Sequence, residues 1–255
     1  MTKLRQYYYD LLTFLSYIKR WGSKGVSIYF SVRKSSPAVI ELSVPGYKNP
    51  VYIRSGTSDL YSFEHIYAHE CYKFPGIDRT NVRVILDCGA NAGHAALYFS
   101  EIYPDAKIIA VEPDTQNLAL IRRNAGANPN IEAIHSAVWG YPCHLKIMNG
   151  SASNWAFRVT ECSPEDAGAF PATSIGDIVR TYGISRIDIL KIDIEGSEIE
   201  LFKDNFHDWL SITRNLVIEL HDRIHPGCTE QFMQAISGYS HTMRRSGENL
   251  IVQFD

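Results

Sequence analysis

The feature that most constrains this 255-residue chain is a series of short apolar runs that do not alternate with polar residues. VRVILDCG (82–89), KIIAVEP (107–113), IEAIHSAV (131–138), IDILKIDIEG (187–196) and NLVIELH (215–221) all read this way. A strand with one wet face alternates, whereas a strand covered on both faces does not. Helical patterns stand between the runs: HAALYFSEIY (94–103), TQNLALIRRNAGAN (115–128), a short segment after the Ser174-x-x-Asp177 capping box, EIELFKDN (198–205) and residues 229–237. This rhythm predicts an α/β domain with a parallel sheet covered by helices. HTMRR (241–245) and NLIVQF (249–254), separated by SGE, predict a closing hairpin, while residues 141–172 read as irregular, with extra strands and a loop.

Ahead of this domain, which we place at 81–255, residues 1–80 read as an appendage on the substrate side. A helix over 3–20 puts Leu4, Tyr8, Leu11, Leu12, Leu15 and Ile18 on one face, and Gly22 and Gly25 break the pattern. AVIELSV (38–44) and VYIR (51–54), joined by PGYKNP, predict a β-hairpin, and 60–72 a helix capped by Ser58 or Asp59. Residues 1–34 carry seven Lys or Arg against one Asp, although the whole chain has a net charge of −3. The acidic remainder offers no groove for nucleic acid. The apolar stripe packs on its own domain by default, and homodimerisation or peripheral contact with an anionic membrane are the other two readings. No apolar run is long enough to span a bilayer, and no secretory leader is evident. The five cysteines are odd in number and lack a C-x-x-C pair, which predicts reduced thiols in a cytoplasmic protein.

Parallel sheets bind ligands beyond the carboxyl ends of their strands. There the chain presents Asp87, Gly89, Ala90, Asn91 and Gly93, then Glu112 and Pro113, Ser136 and Ala137, Asp193 with Glu195 and Gly196, and Glu219 with His221. Gly89 permits a sharp turn, and a helix starting near Asn91 would aim its unsatisfied amides at an anionic group. Glu112 lies 23 residues past Gly89, the spacing at which an acid accepts from both ribose hydroxyls. The turn reads G-A-N-A-G rather than G-x-G-x-x-G, and Asp87 beside it disfavours a pyrophosphate but suits an ammonium group. The pattern favours S-adenosylmethionine (SAM) over a nicotinamide cofactor. A nicotinamide-dependent oxidoreductase and a non-catalytic SAM-fold binding module stay open as alternatives.

DCGANAG (87–93), VEP (111–113), SAV (136–138) and LKIDIEGSE (190–198), with RSGTSD (54–59) and TSIGD (173–177), resemble the FkbM family of SAM-dependent methyltransferases across roughly residues 40–221. The resemblance implies a Rossmann-like class I fold with a mostly parallel seven-stranded sheet and an antiparallel final strand. It implies O-methylation of a small molecule or glycan. It also implies that Asp87 faces the methionine moiety of SAM, Glu112 the ribose, Ser136 and Ala137 the adenine, and that Asp193 lies near the reacting methyl.

Methyl transfer to a hydroxyl needs a base. Asp193 and His221 are the candidates, with Glu219 orienting His221 or a metal. Alternation places Lys191, Asp193 and Glu195 on one side of their strand, with Lys191 more suited to neutralising a carboxylate than to catalysis. Asp193, Glu219 and His221 offer oxygen and nitrogen ligands for Mg²⁺ or a softer ion, but a metal-free cluster is favoured. HDRIHPGC (221–228) lacks a fourth ligand for zinc. Thr57 and Asp59 read either as a helix cap or as a lid contact to the cofactor.

Overall fold

A computed structural model describes residues 3–33, 39–73, 76–126, 128–148 and 159–255. Lys34, Ala38 and residues 149–158 of the irregular stretch lie outside the described residues, as does the side chain of Leu4. The chain forms two compact units, Met1–Ile77 and Asp78–Asp255.

In the first unit, helix α1 (Lys3–Trp21) is followed at once by α2 (Ser23–Val32), with Gly22 at φ 60 between them. Gly25 does not break a helix. It lets α2 cross α1 closely, since a Cβ there would lie 2.1 Å from the Tyr17 carbonyl. The face of α1 that packs carries Tyr17, fully buried, and Trp21, with Tyr17 edge-on to Tyr29 of α2. Tyr8, Leu11, Leu12, Leu15 and Ile18 are exposed. The predicted stripe is therefore the outer face of the helix, not the one it buries. The hairpin pairs β1 (Val39–Leu42) with β2 (Val51–Arg54). The helix expected over 60–72 is shorter: α3 (Asp59–Phe63) widens into a π-helical turn at Glu64–Ala68.

The second unit is built on a seven-stranded sheet. Its strands are β3 (Val84–Cys88), β4 (Lys107–Glu112), β5 (Ile131–His135), β10 (Ile189–Ile192), β11 (Asn215–Glu219), β12 (His241–Ser246) and β13 (Asn249–Phe254). Their order is β12-β13-β11-β10-β3-β4-β5. The run from β11 to β5 is parallel, and β13 is antiparallel to both its neighbours. This is the class I methyltransferase sheet that the resemblance implies. Strands β3, β4 and β10 are buried along nearly their whole length, which is why their sequences do not alternate. Helices α4 (His94–Ile102), α5 (Thr115–Ala125), α6 (Ile175–Tyr182), α7 (Glu198–Leu201), α8 (His207–Leu210) and α9 (Cys228–Ile236) complete the unit. Asp114 caps α5 by accepting from the Asn117 amide at 2.8 Å, and Ser174 caps α6 by accepting from Asp177 at 3.0 Å.

Two local expectations fail. The run 131–138 is not one strand: after His135 the chain turns at Ser136 and enters β6 (Ala137–Val138) of a second sheet. That sheet adds β7 (Cys143–Ile147), β8 (Val159–Glu161) and β9 (Phe170–Thr173), in the order β6-β9-β7-β8, around Trp139, Leu145 and Ala172. EIELFKDN forms only the single turn of α7, because the chain must bend again to seat Trp209 and Leu210 of α8 in the core.

Candidate active site

Strand β3 is the first strand of the domain and pairs with β4 on one side and β10 on the other, so the chain direction around it diverges at its carboxyl end. That divergence opens the crevice where such sheets bind ligands. The turn leaving β3 is tight. Gly89 has φ 78, and a Cβ there would fall 1.8 Å from the Asp193 carbonyl, so only glycine lets the ends of β3 and β10 approach.

The amides of this turn are largely engaged within the protein. Gly89 and Ala90 both donate to the Val111 carbonyl, at 3.1 and 3.0 Å, and Gly93 donates to Ala90 at 2.8 Å. Asn91, at φ 48, donates to Glu112 Oε2 at 2.8 Å. Helix α4 begins only at His94, with Gly93 as its N-cap. The expectation that amides near Asn91 await an anion is corrected here: the turn uses them to clamp β4.

Glu112 is buried and accepts from three donors, Asn91 N, Asp114 N (3.0 Å) and Asn117 Nδ2 (3.1 Å). Burial raises its pKa, and these three hydrogen bonds oppose the rise. A carboxylate has about four lone-pair positions, so one remains for an outside donor. Accepting from both ribose hydroxyls, as the sequence suggested, would require one internal donor to move. Pro113 contributes its carbonyl to His135 Nε2 at 2.8 Å. Ser136 is buried, its hydroxyl 2.9 Å from the Ala137 carbonyl and 3.2 Å from that of Pro171, so its one proton serves the chain reversal. Ala137 pairs with Ala172 in the second sheet. Thr57 and Asp59 belong to the first unit. Asp59 is fully buried and holds Arg54 through both oxygens, at 2.7 and 2.9 Å, while Thr57 Oγ1 accepts from the Asp59 amide at 3.2 Å. That engagement makes Asp59 a structural carboxylate of its own unit rather than an open ligand contact.

Asp87 is also corrected. It is fully buried, and the ammonium beside it is that of Lys191, 3.0 Å from Oδ1. Lys191 donates to the Gly89 carbonyl at 2.7 Å and stands 3.8 Å from Asp193 Oδ2. It thus ties the ends of β3 and β10 together and neutralises two acids, the role that alternation along the strand favours.

Beyond Lys191 four carboxylates gather round one imidazole. His221, 2% exposed, makes a 2.8 Å hydrogen bond through Nδ1 with Glu198 Oε1. Its Nε2 faces Glu219 Oε1 at 3.3 Å and Glu195 Oε2 at 3.5 Å, both off the direction a ring N–H would take, so no hydrogen bond forms there. Asp193 completes the group, with one ligand atom from each of Asp193, Glu219 and His221 within 4.8 Å of the others. Burial lowers the basicity of His221, but Glu198 and Glu219 outweigh it and raise the ring to about 10. With no metal bound, these acids favour the protonated ring over the free base. Its neighbourhood holds Glu219 below the usual carboxylate range, whereas burial and the adjacent Asp193 push Glu195 up to about 7.

Glu195, at φ 54, and Glu198 belong to this cluster although neither is among the catalytic candidates that the sequence suggests. Glu198 is fully buried and accepts from the Ile194 and Gly196 amides at 3.1 and 2.9 Å, so it shapes the turn and orients His221 at once. Its signal in the sequence is its place at the end of LKIDIEGSE, on the turn after the strand rather than at the strand end. The acid-rich rim and the remaining lone pair on buried Glu112 fit a cationic adenosyl sulfonium such as SAM. Two open hollows of this unit lie elsewhere. One of about 570 Å³ is lined by residues including Arg180, His207 and Tyr239, the other of about 480 Å³ by residues including Lys107 and Tyr182. Neither contains a strand-end acid of the rim.

Known proteins resemble this chain. Methyltransferase sdnD of Sordaria araneosa is 26% identical over 222 residues, covering 72% of this chain and 82% of that protein. The 31-O-demethyl-FK506 methyltransferase FkbM of Streptomyces tacrolimicus is 25% identical over 220 residues, covering 73% of this chain and 84% of that one. The crystal structure of a methyltransferase FkbM from Methylobacillus flagellatus KT aligns with a TM-score of 0.48 at 15% identity, over 96% of this chain and 59% of that chain. A family model described as the methyltransferase FkbM domain matches residues 87–240, more than half of the sequence, and the chain therefore belongs to the FkbM methyltransferase family.

Proposed function

We propose that this chain is a SAM-dependent O-methyltransferase acting on a hydroxyl of a small molecule or glycan. The observation that carries the reading is the meeting of Asp193, Glu195, Glu219 and His221 at the ends of β10 and β11, beside a turn that clamps Glu112. Relatives named as methyltransferases support the reaction class, and the name of one, 31-O-demethyl-FK506 methyltransferase, supports oxygen as the acceptor atom.

SAM, when bound, supplies a methyl group on a sulfonium. Glu112 is the residue to hold its ribose, because its carboxylate is fixed by three N–H donors and keeps one acceptor position. The carboxylates of the rim favour positive charge, which discriminates a sulfonium from a neutral thioether product. Asp193, 28% exposed at its side chain, is the acid best placed to orient an acceptor hydroxyl and receive its proton. Lys191 keeps that carboxylate in place, and Glu198 does the same for His221.

Isothermal titration with S-adenosylhomocysteine, SAM and NADH tests the cofactor. Micromolar binding of the two sulfur nucleosides with no NADH response is expected, and the reverse pattern overturns the reading. Transfer of a labelled methyl group to a base-stable product in a panel of hydroxylated metabolites and glycans is the expected activity; labelling of amines or carbon alone overturns the O-methyl assignment.

A further inference from the structure

We infer that the ends of β10 and β11 form a binding site for one divalent metal ion, with Asp193, Glu219 and Nε2 of His221 as its protein ligands. The first ground is convergence. Ligand atoms sharing one ion at about 2.1 Å stand roughly 3–4.2 Å apart, depending on the angle between them. The three atoms here lie within 4.8 Å of one another, so side-chain adjustments of a few tenths of an ångström close the shell.

The second ground is independent of the acids. His221 is buried, yet its Nε2 has no hydrogen-bond partner, although Glu219 and Glu195 oxygens lie 3.3 and 3.5 Å away. A buried ring nitrogen that makes no hydrogen bond is unfavourable. A metal ion at the point it faces satisfies that nitrogen and the acids together.

The third ground is the support behind the imidazole. Glu198 engages Nδ1 at 2.8 Å and is itself fixed by the Ile194 and Gly196 amides. A carboxylate behind a histidine sets which nitrogen keeps its proton, leaving the other as the donor to a metal. The ion then takes the place of the ring's second proton.

One imidazole and two carboxylates make a mixed nitrogen and oxygen set. This favours Mn²⁺ or a borderline ion such as Zn²⁺ over the hard, oxygen-seeking Mg²⁺ and Ca²⁺. Three protein ligands leave positions for water or an acceptor oxygen, whose proton the ion would make easier to lose. That last role rests on the proposed methyl transfer, whereas ion binding does not.

The test uses the full chain, stripped with a chelator and desalted, and titrated with Mn²⁺ while unbound Mn²⁺ is followed by electron paramagnetic resonance. One ion per chain is expected, displaced by Zn²⁺ more readily than by Mg²⁺. The echo envelope of bound Mn²⁺ should carry a nitrogen modulation that His221→Asn removes. Glu219→Gln should weaken binding at least tenfold, and Glu198→Gln about 10- to 100-fold without supplying or removing a ligand. Absence of a stoichiometric site in the unmodified protein overturns the inference, as does unchanged affinity in Glu219→Gln. Glu219 is more exposed than His221, so its variant decides the matter where His221→Asn does not fold. S-adenosylhomocysteine titrated into the same samples separates the two readings: nucleoside binding without a Mn²⁺ site overturns only the metal, and Mn²⁺ binding without nucleoside overturns only the cofactor.

Discussion

Lys191→Met should destabilise the methyltransferase domain strongly through its buried core rather than through its surface. Asp87 has no exposure, both its oxygens lack hydrogen bonds, and the Lys191 ammonium at 3.0 Å is its counter-charge. Removing one partner of a buried pair leaves the other unpaired and costs about 3–5 kcal/mol. For a domain of this size each kcal/mol moves the melting temperature by roughly 2–4 °C, so a fall of roughly 6–20 °C is expected. The asymmetry of the pair sharpens the prediction. Lys191 keeps the Gly89 carbonyl at 2.7 Å and Asp193 at 3.8 Å when Asp87 is neutralised, so Asp87→Asn should cost only about 1–2 kcal/mol. The double variant Asp87→Asn, Lys191→Met should then be more stable than Lys191→Met alone, because no buried charge is left unpaired. Calorimetry on the four proteins of this cycle provides the measurement. A drop below about 2 °C in Lys191→Met, or a double variant no better than that single one, would refute the argument that a buried carboxylate depends on this lysine.

Other perturbations follow from the same geometry. Glu112→Gln replaces one acceptor oxygen with an NH2 group that must face at least one of the three N–H donors, so affinity for S-adenosylhomocysteine should fall about tenfold or more by titration calorimetry. Because burial raises the Glu112 pKa in the folded protein, its contribution to stability is greatest below the ordinary carboxylate range and is lost as pH rises through the raised value. The stability advantage of the parent over Glu112→Gln should therefore shrink between pH 4 and pH 8 in urea titrations, and growth of that advantage would contradict the assignment. Gly89→Ala combines φ 78 with a Cβ 1.8 Å from the Asp193 carbonyl, and should cost about 3 kcal/mol or more or abolish soluble protein. Burial pushes the Cys88 and Cys228 thiols up to about 12, so iodoacetamide at pH 8 should leave both unmodified by peptide mapping until the protein is denatured.

Much of the architecture was legible without coordinates, because burial on both faces writes itself into a strand as an unbroken apolar run. VRVILDCG, KIIAVEP and IDILKIDIEG announce β3, β4 and β10, and the glycines and acids after them announce the rim. The stripe of α1 was legible as a stripe, but its direction was not. Periodicity reports which residues share a face, not what lies opposite, and here Tyr17 and Trp21 pack while Leu11 and Leu15 stay exposed. No helix among the described residues is long and apolar enough to cross a membrane, in line with the absence of a long apolar run.

The site divides along the same physical boundary. Covalent order alone places Asp87, Glu112, Asp193, Glu219 and His221 at strand ends, since a strand's exit is a local property. Which charge faces which is decided over distances that order does not encode. Lys191 lies 104 residues after Asp87, and His221 lies 23 after Glu198, yet each pair is in contact because neighbouring strands and the turn at Glu198 bring them there. Tertiary packing thus turned Asp87 from a ligand contact into a buried ion pair and gave Asp59 to Arg54. It also made His221 the centre of a carboxylate cluster, because interactions between charges depend on distance and desolvation and not on position along the chain.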